Sequence, residues 1–531
     1  VYPDYIESVN QLIPPEYVVR TLVFPVQSEL NTIHVCMLNP SDDLLTRSLE
    51  ALSGCRIKPL VGQEQLLCKA IEKHYGAHIN GHRLAFPGEE QCDNLAETLL
   101  ENRQAESLET YLQPAIAFVN RHHEPTDSLE SVLREPSLIQ LVHQMLSRLV
   151  GLGASDIHFE PMESGLRVRF RADGVMQGAW LLPSTLVIPI AARLKVMAGL
   201  SPEPSNAPLD ARISYGLIWD KDIDFRFSSL PSLYGEKIVL RALERSREPR
   251  KLTELGLEQN TLARVQMAAQ SPTGLVLVTG PTGSGKTSSL YALVDFLNRE
   301  EVNIMTAEEP VESRLPGVTQ VPCGQDLGIH FATALRSFLR QDPDVILVGE
   351  IRDRETADVS LKAALTGHLV LSTLHTNDAP STIARLLNMG LDPFSVASTL
   401  RLVLAQRLVR LLCRNCKSPT NDNAELSHLV RRGFSEQEVD LLRHGKMCVP
   451  VGCSACRQTG FQGRSGVFEA LVVTEVIGEL IVSKPSVSEI RRAARQQGMK
   501  TLRESGLTLV AAGVTSLEDV LSTTTAEPLV P

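Results

Sequence analysis

Apolar residues recur along this chain with periods that change from one region to the next. Val18 to Val26 and Ile33 to Leu38 read as strands, and Asp42 to Ser53 and Gln63 to Tyr75 as helices. Asn39-Pro40-Ser41-Asp42 supplies a turn and a helix cap between them. From Gly76 to about Thr126 the periodicity loosens around polar breaks, with some helix near Leu95 to Leu112 and a solvated His122-His123 pair. Ser137 to Gly151 has the spacing of an amphipathic helix. Leu166 to Arg171 alternates as a strand with one basic face, and Asp173-Gly174 is a hairpin signal before Val175-Met176. A second alternating pair is Ile223 to Phe227 and Lys237 to Arg241. Its arginines are open to two readings, solvated charges on an α+β domain or an arginine-bearing sheet that faces a nucleotide. Lys251 to Met267 is a linker and helix leading into a third kind of pattern. There Leu275 to Thr279, Asn303 to Ala307, Val345 to Val348 and Leu369 to Leu374 are mainly apolar runs, the signature of buried strands in an α/β sheet.

The loop after the first of these runs decides the chemistry. Gly280-Pro281-Thr282-Gly283-Ser284-Gly285-Lys286-Thr287 has the spacing of a phosphate-binding loop between a strand and a helical segment, Ser288 to Asn298. Its backbone N–H groups and the helix N-terminus surround an anion, and its glycines allow the backbone to approach. Lys286 is expected on the β- and γ-phosphates of ATP and Thr287 on Mg²⁺. The three later strands end in Glu308-Glu309-Pro310-Val311-Glu312, in Gly349-Glu350-Ile351-Arg352-Asp353, and in a segment with His368 before it and His375 after it. Ligands of parallel sheets bind outside the carboxyl ends of strands, so these groups are expected to converge beside the phosphate loop. A carboxylate there holds Mg²⁺ or orients water, and an imidazole contacts the γ-phosphate.

A second chemistry sits further on. Cys413-Arg414-Asn415-Cys416 and Cys453-Ser454-Ala455-Cys456 form two C-x₂-C pairs, the arrangement of a four-thiolate Zn²⁺ site. The 36 residues between the pairs imply an inserted helical arm, expected over Ser435 to His444. Cys448 lies at the wrong spacing to join them. A closed four-sulfur site has no open coordination position, so its role is structural.

Composition narrows the class. At 531 residues the chain is long for a single core, and three or four domains are expected. A net charge of −10 speaks against a nucleic-acid surface. No apolar run is long enough to span a bilayer and no secretory signal opens the chain, which points to the cytosol and to indirect membrane contact. Val1 in place of Met suggests a trimmed or incomplete start.

With these motifs in view, residues 128 to 522 resemble the secretion ATPases of type II secretion and type IV pilus assembly, and the first module resembles them weakly. Leu402 to Leu412 and Gln458 to Gly466 match as well, and the four-cysteine element points to the assembly and secretion branch. The resemblance implies a multidomain α/β protein. A docking module (1–76) and an extension (77–127) precede an arginine-bearing α+β, PAS-like domain (128–247). A RecA-like P-loop core (248–410), the zinc element (411–466) and a helical region (467–531) complete the chain. It further implies a homohexamer at the cytoplasmic side of the inner membrane, contacting a platform protein and the cytoplasmic part of another inner-membrane component. By matching position, Glu308 and Glu350 would be the Mg²⁺/water carboxylates, His368 and His375 the histidine-box residues, and Arg212 and Arg226 the arginines supplied to the phosphates, with Arg241 beside them. The chain departs from the family at Glu309, where the family has Asp, and at Glu203 to Arg212, which lacks two basic positions and a glycine. These departures imply an active but slow enzyme. Two other functions share parts of the pattern: a nucleotide-binding scaffold with little turnover, and a DNA-translocating ring, which leaves the histidines and the cysteines without a role.

Overall fold

The structure is a computed structural model that describes residues 13, 18, 21, 23–29, 32–38, 40, 43–53, 55–62, 67, 69–71, 78–80, 83–85, 112–117, 135–218, 221–244, 250–324, 327–420 and 434–524. It divides into two compact units, Val1–Ser246 and Arg247–Pro531.

In the first unit, β1 (Phe24–Glu29) pairs antiparallel with β2 (Thr32–Met37). Through α1 (Asp43–Ser53) the chain returns as β3 (Arg56–Val61), parallel to β2. The strand expected from Val18 begins only at Phe24, because positions 18 and 21 are helical. Val18, Val23, Phe24 and Val26 are all buried, and a short buried run does not by periodicity alone distinguish helix from strand. The helix expected over Gln63 to Tyr75 is described at Leu67 and at 69–71, where it is helical. Most of the segment near Leu95 to Leu112, and the pair His122-His123, lie outside the described residues. A short hairpin, β4 (His78–Asn80) and β5 (Arg83–Ala85), comes after the module.

After α2 (Pro136–Gly151) come β6 (Asp156–Met162), β7 (Gly165–Ala172) and β8 (Val175–Leu182). Asp173 and Gly174 turn β7 into β8 with φ of 48° and 84°, the left-handed geometry that a two-residue hairpin demands. Next are α3 (Val187–Met197), β9 (Leu209–Ile218), β10 (Lys221–Ser232) and β11 (Gly235–Glu244). The six strands form an antiparallel sheet in the order β8-β7-β6-β11-β10-β9. Alternation sorts its faces. Ile157, Phe159, Val168, Phe170, Phe225, Phe227, Ile238 and Leu240 are buried in one core together with residues of α1, α2 and α3. The alternate positions include Arg167, Arg169, Arg171, Arg226 and Arg241. Within that core Arg193 of α3 donates to the Leu52 carbonyl of α1. Lys195, 1% exposed, donates to Glu236 at 3.0 Å, and Glu236 also accepts from Ser229 Oγ (3.2 Å) and Ser205 N (3.4 Å).

The second unit opens with α4 (Gln259–Ala269), β12 (Gly274–Thr279), α5 (Lys286–Leu297), β13 (Ile304–Glu308) and β14 (Thr319–Pro322). It continues through α6 (Phe331–Phe338), β15 (Val345–Val348), α7 (Arg354–Leu365), β16 (Leu369–Leu374), α8 (Ala379–Asn388), α9 (Pro393–Thr399) and β17 (Leu400–Leu412). An inserted arm carries β18 (Ser418–Pro419), α10 (Glu436–Arg443) and β19 (Cys448–Val449) before the chain returns as β20 (Phe461–Val472). Helices α11 (Glu475–Val482), α12 (Val487–Gln496), α13 (Leu502–Ala511) and α14 (Leu517–Thr523) complete it. The main sheet has the order β14-β13-β15-β16-β12-β17-β20, parallel except for β20, which runs antiparallel to β17. Along β12, Leu275 and Leu277 enter one core with residues of α6 to α9, while Val276 and Val278 enter another with α4 and α5. Burial on both faces is why these strands read as mainly apolar runs without alternation.

Replacing Glu236 by Gln strands the buried Lys195 ammonium without a counter-charge. Unfolding of the full chain in urea is expected to show a loss of about 3–5 kcal/mol in the transition of the first unit. A loss below about 1 kcal/mol would mean that Lys195 finds another partner.

Candidate nucleotide site and four-cysteine centre

The phosphate loop occupies the carboxyl end of β12. Gly280, Gly283 and Gly285 adopt φ of 150°, 79° and 88°. A Cβ on Gly280 would stand 2.5 Å from the Gln406 carbonyl oxygen, and one on Gly285 would stand 2.8 Å from Gln406 Nε2. Both positions therefore exclude a side chain on steric grounds as well as by conformation. Gln406 also accepts from Ser289 Oγ of α5 at 2.7 Å, so one buried amide holds loop and helix together. The loop fits a phosphate chain. Ser284 Oγ is buried without a hydrogen-bond partner, and Thr287 in the first turn of α5 is exposed. Pro281 and Thr282 are exposed in the loop crest. Lys286 Nζ donates to the carbonyls of Gly280 (2.9 Å) and Pro281 (3.0 Å). Burial and the nearby Arg407 lower its pKa, against the opposing pull of Glu350.

Parallel register sets the neighbours of this loop. Thr279 lies opposite Leu374 of β16, so the segment from His375 to Asp378 emerges beside Gly280. Thr279 Oγ1 and Thr376 Oγ1 are 2.7 Å apart, and Thr376 N donates to Thr279 Oγ1 at 2.9 Å. Glu350 comes just after β15, with His375 Nε2 at 3.4 Å from Oε2 and Arg352 donating to Oε1 at 2.5 Å. Burial would raise the Glu350 pKa, but the Arg352 hydrogen bond and the surrounding positive charges hold it below the usual carboxylate value. Arg352 also pairs with Glu309 at 3.1 Å. The longer side chain at that position thus has a partner on the next strand end.

Two of the expected groups are placed differently. Glu308 is 4% exposed and accepts from Tyr291 OH of α5, Thr306 Oγ1 (2.6 Å) and Gln320 Nε2 (3.0 Å). With both oxygens engaged by protein donors, it fastens α5 to the end of β13 and is not an open metal ligand. His368 precedes β16, and its carbonyl accepts from Gly274 N at the start of β12. The six residues of β16 lie between it and His375, so seven steps of ~3.3 Å put the two about 23 Å apart, at opposite ends of the strand. There its Nδ1 is 2.9 Å from the Ala363 carbonyl of α7. Of the two histidines, His375 alone is at the phosphate-loop edge.

The first unit carries its arginines in register. Arg212, Arg226 and Arg241 stand opposite one another on β9, β10 and β11. Arg212 Nε donates to the buried Asp224 at 2.6 Å, and Arg241 Nε donates to Asp156 at 2.8 Å. Arg226 is exposed, and among the described residues its side chain has no hydrogen bond or ion pair. Like charges directly opposite repel, and the two outer arginines are each compensated by an aspartate.

The four cysteines meet. Their sulfurs all lie within 4.8 Å of one another, with Cys413–Cys453 at 3.8 Å, Cys416–Cys456 at 3.7 Å and Cys453–Cys456 at 3.7 Å. A tetrahedron with metal–sulfur bonds of ~2.3 Å has edges of about 3.8 Å, the spacing found. Gly452 N donates to Cys416 Sγ (3.3 Å), and Cys453 N and Gly460 N donate to Cys456 Sγ (3.2 Å each), which favours thiolates. Helix α10 occupies the arm where a helix was expected, opened by a reciprocal Ser435–Glu438 cap. Cys448 lies outside the cluster, on β19.

Gln406, Tyr291 and Arg407 were not singled out from the sequence as site residues, because each acts through a partner distant along the chain. The run Ala405-Gln406-Arg407-Leu408 carried the only signal, as part of the resemblance.

Comparison with known proteins places this geometry. The family described as Type II/IV secretion system protein matches residues 133–522, and the MshEN domain matches residues 4–80. The type IV pilus assembly ATPase PilB of Myxococcus xanthus is 40% identical over 524 residues, 99% of this chain and 87% of that protein. The type II secretion system protein E of Pseudomonas aeruginosa is 41% identical over 403 residues, 76% of this chain and 78% of that protein. In fold, the chain is similar to the ATPase DotB of Legionella pneumophila, with a TM-score of 0.52 at 21% identity over 72% of this chain and 94% of that one. The chain belongs to the type II/IV secretion system protein family.

Proposed function

We propose that this chain hydrolyses ATP as a homohexameric motor on the cytoplasmic side of the inner membrane and drives pilus or pseudopilus assembly. The observation that carries the reading is the convergence of Lys286, Glu350 and His375 at one edge of the sheet. Relatives of about 40% identity named as pilus assembly ATPases and type II secretion proteins support the assembly role. No helix among the described residues is long and apolar enough to cross a membrane, consistent with docking to a platform protein and to the cytoplasmic part of another inner-membrane component.

The chain's own groups divide the work. The backbone of Gly280 to Gly285 and the N-terminus of α5 cradle the phosphates. Lys286 leaves its loop carbonyls for the β- and γ-phosphates, a small displacement for a side chain already beside them. Thr287 and Glu350 would hold Mg²⁺, which would supply charge neutralisation on the phosphate oxygens. Glu350 is anionic at neutral pH and orients water, with His375 beside it at the phosphate edge. Arg226 is offered to the terminal phosphate when chains assemble into a ring, and its neighbour Arg212 is held in place by Asp224. Hydrolysis then depends on how the chains are arranged, as a motor requires. The thiolates of Cys413, Cys416, Cys453 and Cys456 would hold one Zn²⁺ in a structural role.

Gly280→Ala forces a Cβ onto the Gln406 carbonyl, and binding of a fluorescent ATP analogue should weaken at least tenfold; unchanged affinity would separate this loop from nucleotide binding. Steady-state hydrolysis should rise steeply with protein concentration and fall about 100-fold or more in Lys286→Ala. Arg226→Ala should lower kcat by about 10³-fold, the lower range for arginines of this kind. Arg212→Ala should cost less, because its charge is already compensated. Turnover in Lys286→Ala equal to that of the natural chain would sink the motor reading. Denaturing the purified protein before a colorimetric zinc assay should release one Zn²⁺ per chain, and none from Cys413→Ser/Cys453→Ser.

A further inference from the structure

One buried carboxylate in the second unit has no role in the hydrolytic scheme. Glu469 lies on β20, opposite Ala405 and two pairs along from the pairing of Arg407 with Val467. It is 3% exposed. Its Oε1 accepts from Ala379 N at 2.7 Å and its Oε2 from Leu502 N at 3.3 Å. Ala379 and Leu502 are the first residues of α8 and α13, so one carboxylate closes the N-termini of two helices. Each end has a separate cap of its own, Asp378 Oδ1 receiving Ser381 N and Thr501 Oγ1 receiving Glu504 N. Those caps take the amides two residues further in, so Glu469 satisfies the first amide of each helix, which they leave open. What it adds is a bond between the two helices: burial pushes its pKa up to about 7, and the N–H groups of Ala379 and Leu502 pull back toward the anion that accepts from both.

The position of α8 matters for the site. Its N-terminus comes directly after His375-Thr376-Asn377-Asp378. Arg407 ties that segment to β17 where β17 abuts the phosphate loop: Nη2 donates to the Asn377 carbonyl at 2.9 Å and Nη1 to the Gln406 carbonyl at 3.1 Å, the carbonyl that leaves no room for a Cβ on Gly280. From the far side Arg491 of α12 donates to Asp378 Oδ2 at 2.7 Å. A path of hydrogen bonds thus runs from Gln406, packed against Gly280, through Arg407 to Asn377 and on along the chain to Asp378 and Ala379. There it branches, through Arg491 to α12 and through Glu469 to α13.

We infer that Glu469 is a positioning residue for hydrolysis: by joining the N-termini of α8 and α13 it lets the C-terminal helices set the placement of His375 against the phosphate loop. This rests on the reading of the second unit as the hydrolytic one, and it adds a route by which force or contact on α12 and α13 reaches the reacting phosphate. The chemistry of the side chain makes the idea specific. A carboxylate offers an acceptor to each helix, whereas glutamine of the same shape offers one acceptor and turns a donor toward the other N–H.

The test uses the full chain with zinc retained, comparing the natural protein with Glu469→Gln and Arg491→Ala. Measured are kcat, KM for ATP, thermal midpoint, and amide hydrogen exchange at Ala379 and Leu502. Glu469→Gln should lower kcat about tenfold, leave KM within twofold and the midpoint within a few degrees, and speed exchange at one or both amides. Arg491→Ala, which leaves Glu469 intact, should give the same split between kcat and KM with exchange at Leu502 unchanged. Unchanged exchange at both amides in Glu469→Gln overturns the linkage whatever the turnover. Unchanged kcat, or a fall in kcat matched by a rise in KM and a lost thermal midpoint, overturns the positioning role. Absence of turnover in the natural chain overturns the hydrolytic reading instead, and the exchange result still decides the linkage.

Discussion

Register between β12 and β16 is the constraint on which the nucleotide site depends. Parallel pairing places Thr279 opposite Leu374, and from that single alignment the phosphate loop and the His375 segment leave the sheet side by side. β15, paired with β16 on its other edge, delivers Glu350 to the same line. A shift of one residue would turn Leu275 and Leu277 from one core into the other and exchange every apolar contact of a strand buried on both faces. The cores thus hold the register, and the register holds the chemistry. The Thr279–Thr376 hydrogen bonds then fix the last few tenths of an ångström.

The first unit solves a different problem with the opposite kind of sheet. Antiparallel alternation sends phenylalanines inward and arginines outward, so three arginines line up across β9, β10 and β11 at the cost of mutual repulsion. Asp224 and Asp156 offset the outer two. The buried Lys195–Glu236 pair lies at the Ser205 turn just before β9, the segment in which the chain departs from its family. An ordered segment there offers a physical reason why the lost basic positions need not unseat Arg212.

The parts of this organisation that were legible in the sequence are those in which a few neighbouring residues carry the whole mechanism. The phosphate loop, the two C-x₂-C pairs and the Asp173-Gly174 hairpin are local devices, and each stands in the structure as its residues required. The strand placed at Val18 failed because burial without alternation looks the same in a helical turn. His368 and His375 read as a pair because both border one apolar run; only the parallel sheet shows that a strand's two ends face opposite edges. Glu308 read as a metal or water carboxylate beside Glu350, yet its donors Tyr291 and Gln320 lie 17 and 12 residues away. Glu469 and Gln406 were out of reach for the same reason, since their partners are brought in by strands far apart in the chain.

The cysteine arm has a consequence for how the sheet is completed. It is inserted between β17 and β20, two strands that pair directly, with 48 residues from 413 through 460 between Leu412 and its partner Phe461. Without the metal, β20 must find its place across a loop of that length. With Cys413 and Cys416 clipped to Cys453 and Cys456, only a few residues remain free. At about 0.6 kcal/mol per doubling of loop length, the clip lowers the closure entropy by about 2 kcal/mol. A metal held by the four thiolates would thus act as a folding clamp for the edge strand.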